Sequence, residues 1–181
     1  YNAGIGVTWA NSSGRINQIF DSRGPGGFTF SYSGEALPHL LGISDSYSGA
    51  GNYAFQYDNN SQGPEPYTIT SPFPNPPLSS YGTEDILTSE IQKVSARAYG
   101  FSYVAGSHGA NSTAGEMATM TTPDLGALGW AYSEVQYYGN RVQDEVTTRR
   151  LTMSQGASPY TYNIVHTDAQ QTDVIHQAMT V

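Results

Sequence analysis

Phe28-Thr29-Phe30-Ser31-Tyr32 alternates large aromatic residues with small hydroxyl residues. A period of two marks a half-buried β-strand, because successive side chains point to opposite faces of a sheet. Upstream, Val7-Thr8-Trp9-Ala10 and Arg15-Ile16-Asn17-Gln18-Ile19-Phe20 flank the polar loop Asn11-Ser12-Ser13-Gly14. Two apolar runs around a short loop that ends in Gly predict a β-hairpin over residues 1–20. The breaker cluster Arg23-Gly24-Pro25-Gly26-Gly27 separates that hairpin from the strand. Downstream, Glu35 to Ile43 is interrupted by Pro38 and reads as a turn or one helical turn rather than a strand. Tyr53-Ala54-Phe55-Gln56-Tyr57 alternates again, and Tyr67-Thr68-Ile69-Thr70 predicts an edge strand between prolines. Glu145 to Met153 and Tyr160 to His166 read as strands, whereas Asp168 to Val181 fits helix or strand.

Two stretches predict helices. Thr83-Glu84-Asp85 offers an N-cap and first-turn acids, with Ile91, Val94, Ala98 and Phe101 at helical spacing behind it. Thr122-Pro123-Asp124 offers a cap, a proline at the first helical position and an acid, followed by Leu125, Leu128, Tyr132 and Val135. The expected fold is therefore mainly β, an antiparallel sandwich or barrel-like sheet with one or two helices, with an α+β arrangement as the fallback. One domain is expected over residues 1–181. Six of the ten prolines fall between Pro64 and Pro77 and predict an extended connector there.

Only 12% of the 181 residues are charged, about half the share usual for a soluble domain. Seven Lys and Arg against 15 Asp and Glu give a net charge of -8. That balance excludes the basic stripe a nucleic-acid binder needs and disfavours anionic lipid. No apolar run approaches the ~20 residues of a membrane-spanning helix, so membrane insertion is not expected. Cysteine is absent, which removes disulfides, thiolate metal sites and cysteine nucleophiles together. Lysine occurs once, at Lys93, while Gly and Tyr number 20 and 14. A surface of hydroxyls, amides and tyrosines predicts an extracellular, cell-surface or virion location. The start at Tyr1, without a Met or a basic or apolar leader, fits a mature, processed chain or a trimmed one.

The familiar chemical motifs are missing: no G-x-S-x-G elbow, no Walker A loop and no H-E-x-x-H pair. Gly49-Ala50-Gly51-Asn52-Tyr53-Ala54 fits a relaxed dinucleotide pattern but runs on as a strand, leaving no helix N-terminus for a pyrophosphate. His39, His108, His166 and His176 form no local metal grip. Asp58, Asn60 and Gln62, with Gly63 at the sixth position, resemble the start of a calcium loop. Ile69 stands where a bidentate Glu would be required, so an Asx-rich turn is the simpler account. Asn11, Asn59 and Asn111 begin N-x-S/T sequons and are glycosylation candidates, although a Ser/Thr-rich chain matches that pattern by chance. No cofactor is expected, with calcium the single ion considered.

A glycan-cleaving cleft needs two carboxylates on facing walls lined by aromatics. Glu84, Asp85, Glu90, Glu116, Glu134, Asp144 and Glu145 are available, as are Trp9, Trp130, Tyr137 and Tyr138. No two of these acids share one strand at an inward-facing spacing with aromatics between them, and Glu84 and Asp85 are more simply helix N-terminal acids. The N-terminus is more distinctive. Tyr1, Ala3, Ile5, Val7 and Trp9 are apolar, while the even positions 2–10 are Asn, Gly, Gly, Thr and Ala. Such a strand suits addition to an open sheet edge, with alternate side chains filling a groove; the simpler account is an ordinary first strand paired within its own hairpin. The expectation is a non-enzymatic extracellular or particle-surface protein that self-assembles into a filament, sheath or coat, its partner a second copy of itself. The alternative is a secreted glycan-binding or glycan-cleaving β-domain.

Overall fold

The computed structural model describes residues 5–10, 14–24, 26–46, 51–57, 67–70, 81–106, 112–137, 141–167 and 176–180. In chain order the strands are β1 (Ile5–Ala10), β2 (Arg15–Asp21), β3 (Gly27–Tyr32), β4 (Leu40–Asp45) and β5 (Gly51–Tyr57). Next come β6 (Tyr67–Ile69), β7 (Thr83–Glu84), β8 (Leu87–Gln92), β9 (Arg97–Tyr103) and β10 (Ser112–Thr113). The last are β11 (Met117–Thr121), β12 (Ala127–Tyr137), β13 (Arg141–Thr152), β14 (Tyr160–Thr167) and β15 (His176–Thr180). The fold is mainly β, and no helix occurs among the described residues.

The chain divides into two compact units, residues 1–56 with 89–98 and residues 57–88 with 99–181. In the first unit the strand order is β1-β2-β3-β4-β5-β8. The hairpin expected over residues 1–20 is present as β1 and β2, with Gly14 at φ 72° closing its turn. A left-handed φ there suits glycine, which carries no Cβ. β3 contains the alternating Phe28-Tyr32 stretch. Residues 40–43, expected to be a turn or one helical turn, are instead the start of β4, because Pro38 breaks the chain only before Leu40. In the second unit β9-β11-β12-β13-β14-β15 are successive neighbours, and β10-β6-β7 form a separate three-stranded sheet.

Both expected helices are strands instead. Thr122-Pro123-Asp124 is the corner of the β11–β12 hairpin. The Leu125 N–H donates to the Thr122 carbonyl at 3.0 Å, the Thr122 N–H to the Gly126 carbonyl at 2.9 Å, and Leu125 sits at φ 62°. Proline at the second position of a turn and at the first position of a helix answers the same fixed φ, so the tripeptide serves either structure. The left-handed Leu125 then turns the chain back, and Leu128, Trp130 and Tyr132 alternate with Gly129 and Ala131 along β12. Over residues 83–101, β8 and β9 flank a turn in which Ser95 Oγ donates to Gln92 Oε1 at 2.7 Å and Ala96 has φ 52°. Val94, read as a helix-face residue, is 71% exposed in that turn. Tyr99, Phe101 and Tyr103 alternate with Gly100 and Ser102, the same period-two pattern as β3.

β6 also differs from its expectation. It is the central strand of its small sheet, parallel to β10 and antiparallel to β7. The flanking prolines lie outside its three residues, so no ladder hydrogen bond is forfeited. Beside it Thr70 and Thr113 are buried, with the Thr70 N–H donating to the Thr113 carbonyl at 2.9 Å and Thr113 Oγ1 accepting from the Gly115 N–H at 3.0 Å. The other residues of the Pro64–Pro77 connector lie outside the described residues.

Candidate assembly interface

β1 carries three of the five expected assembly residues, Ile5, Val7 and Trp9; Tyr1 and Ala3 lie outside the described residues. It pairs antiparallel with β2 in the same chain, from Ile5↔Asp21 to Ala10↔Arg15. The ladder slips between Thr8 and Trp9, where Asn17 is the extra residue on β2. A bulge of this kind sharpens the local twist. On its other side β1 has no ladder partner among the described residues, since it stands at the end of the strand order. Val7 is 44% exposed.

Register sorts the first unit into two dissimilar faces. Val7, Ile19 and Phe28 stand in one row, and Phe30, Ile43 and Tyr53 in a second row on the same face. The opposite face carries the row Thr8, Gln18, Thr29 and Ser44. There Ser31 Oγ donates to the Gly42 carbonyl at 3.3 Å and Ser89 Oγ to Gln56 Oε1 at 2.7 Å. Charges at the ends of the strands are held locally. Arg23 donates through Nε and Nη2 to the two carboxylate oxygens of Asp21, each at 3.1 Å, which keeps that carboxyl below its ordinary value. Asn52 Nδ2 donates to Asp45 Oδ2 at 3.3 Å, and His39 Nδ1 lies 3.3 Å from Glu35 Oε2. Tyr32 donates its hydroxyl to the Ile16 carbonyl at 2.8 Å, under the Arg15 guanidinium at 5.5 Å.

The second unit brings together acids that are distant in sequence. Glu134 and Asp144 oppose each other across β12 and β13, a like-charge pair that weakens a ladder. Burial, and secondarily Asp144, push the Glu116 carboxyl above its ordinary value. The Tyr132 phenol is also raised, by burial and then by Glu116, and donates to the Met117 carbonyl at 3.0 Å. A carboxyl with a raised value binds its proton more readily in the folded chain than in the unfolded one. Its contribution to stability is complete at low pH and is lost as pH rises through the raised value. Relative to Glu116→Gln, the urea midpoint of the wild type should therefore be highest below the ordinary carboxyl value of 4.5 and fall toward neutral pH. Asp21 acts in the opposite sense, losing its contribution only as pH falls through its lowered value.

The glycosylation candidates Asn11, Asn59 and Asn111 and the calcium candidates Asp58, Asn60 and Gln62 lie outside the described residues, as does His108. His166 and His176 occupy neighbouring rungs of β14 and β15, paired with Gln177 and Thr167. The acid grouping in the second unit escaped the sequence reading because its members come from three separate segments. No family model and no curated protein matches the chain.

Proposed function

We propose that this chain is a non-enzymatic structural protein of an extracellular or particle surface, and that copies of it assemble into a filament, sheath or coat. The observation that carries the reading is the open edge of β1. That strand has one ladder partner among the described residues, and its sequence IGVTWA contains neither charge nor proline. Natural sheets blunt their edges with lysine, proline or a covering element, because unpaired N–H and C=O groups recruit another strand. The bulge of the β1–β2 ladder lies toward the turn and leaves Ile5–Thr8 in regular register. β15 ends the strand order of the second unit in the same way. Joining β1 of one copy to β15 of the next leaves a free β1 and a free β15, so the contact is head-to-tail and can be repeated from copy to copy. Main-chain hydrogen bonds supply affinity and alternate side chains supply register. The surface location rests on composition, with one lysine and abundant Gly, Tyr, Ser and Thr.

Sedimentation velocity on the wild type and on the double variant Gly6→Glu/Thr8→Glu tests this reading. Glutamate is chosen because it adds like charge at the junction without creating an attraction to an acidic chain. The wild type should sediment as polymers and the variant as small species. A wild type that stays monomeric at every concentration, or a variant that polymerises equally well, would overturn the reading.

One observation favours a glycan-binding or glycan-cleaving domain as the second reading. Trp130, Tyr132 and Glu134 alternate on one face of β12, and the raised Glu116 carboxyl interacts with Asp144. Neighbouring carboxylates, one of them raised, beside aromatics are ingredients of a glycosidase acid–base pair. Reducing-sugar release from polysaccharides that disappears in Glu116→Gln would establish it.

A further inference from the structure

We propose that the apolar face of the first unit docks against the same face of a second copy, forming a two-layer sandwich across the pair. The inference rests on the assembly reading and adds a lateral contact to its edge-to-edge one. Val7, Ile19, Phe28, Phe30 and Ile43 share this face by register, and Leu41 joins them as the extra residue of the β3–β4 bulge, where Leu40 and Leu41 together oppose Tyr32. Phe28 is 46% exposed, Val7 44% and Leu41 42%, so the face is only partly removed from water. An apolar sheet face is stable when another layer covers it. Among the described residues of this unit there is no second layer, since its strands all belong to one ladder and no helix is present.

Charge and area both point to a second copy as the occupant. The unit contains four bases (Arg15, Arg23, Lys93, Arg97) and four acids (Asp21, Glu35, Asp45, Glu90), a net charge of zero. The whole charge of -8 therefore lies in the other unit, with its three bases and eleven acids. Copies repel through that acidic unit, and the neutral one is where they can meet without electrostatic cost. Asp45, which shares the Phe28 row, is hydrogen-bonded to Asn52, and Asp21 is paired with Arg23. With Tyr53 the face extends over five strands. Spaced ~4.8 Å apart and about six residues long, these cover roughly 480 Å², or about 960 Å² for two copies. That is close to the ~1,000 Å² of a specific interface.

The test uses the Gly6→Glu/Thr8→Glu chain, in which edge addition is blocked. The chain lacks cysteine, so a single introduced thiol reports one position. Phe28→Cys and Leu41→Cys probe the apolar face, and Thr29→Cys probes the opposite face. The edge-blocked protein should sediment as a dimer. Maleimide labelling at the first two positions should slow about tenfold or more between dilute and concentrated protein, through mass action on the dimer. Labelling of Thr29→Cys should not change. If the edge-blocked protein is monomeric while the wild type polymerises, the face contact is wrong and the assembly reading stands. Protection at Thr29→Cys alone would place the contact on the wrong face. A monomeric wild type would overturn both.

Discussion

Removing residues 1–6 is expected to abolish polymerisation and to weaken the subunit in the same step. The deletion takes Ile5 and Gly6 from β1, and with them the rungs Ile5↔Asp21 and Gly6↔Phe20. Two cross-strand pairs contribute about 0.5–2 kcal/mol between them, a modest share of the stability of a domain. The remaining Val7–Ala10 segment straddles the ladder slip between Thr8 and Trp9, so the regular part of the open edge is lost. Addition of another strand there would begin on twisted backbone. Sedimentation and urea unfolding on the same preparation separate the two effects. The truncated chain should be cooperatively folded, slightly less stable and no longer polymeric. A truncated chain that polymerises as well as the wild type would remove β1 from the assembly.

Gly27→Ala is expected to be the most damaging single methyl group in the first unit. A Cβ at this position would lie 2.5 Å from the Ile19 carbonyl oxygen and 3.0 Å from Phe20 Cα and Cβ. The carbonyl and the Cα are backbone atoms of β2 and cannot rotate away, so β2 and β3 must separate. The other side of Gly27 is pinned as well. Its N–H donates to Ser46 Oγ at 2.8 Å, and its carbonyl accepts from the Ser46 N–H at 3.0 Å. Overpacking of this kind costs about 1–3 kcal/mol, which should appear as a lower urea midpoint with an unchanged m-value. The same separation would disturb the Ile19↔Phe28 rung on the apolar face. A neutral Gly27→Ala would mean that the β2–β3 ladder is looser than its geometry indicates.

Strands built on large residues alternating with small ones were legible in the sequence. Phe28-Tyr32, Tyr53-Tyr57 and Tyr160-His166 all lie in strands, because one side of each must be apolar and the other must not. The helix expectations failed where one set of residues answers two structures. Thr122-Pro123-Asp124 fits a helix start and a turn equally, and the left-handed backbone of Leu125, which decides between them, carries no sequence signal. Ile91, Val94, Ala98 and Phe101 matched a helical spacing only because the turn at 93–96 brought residues of two strands into accidental phase.

At the candidate interface, the alternation in β1 was readable, but what lies beside its open edge was not. Period two records which face a residue occupies and is blind to whether the neighbouring strand belongs to the same chain. β2 fills one side of β1, and the question of assembly concerns the other. The interaction of Glu116 with Asp144 was beyond a sequence reading for a related reason: it arises from the β9-β11-β12-β13 order, and neither residue sits in a local motif.

Edge-to-edge joining of copies through β1 can be read in the diffraction of aligned wild-type assemblies. Edge addition stacks strands along the growth direction. Filaments are expected whose pattern shows the ~4.8 Å strand spacing parallel to the long axis. Filaments with that spacing perpendicular to the axis, or a preparation of dispersed monomers, would contradict it.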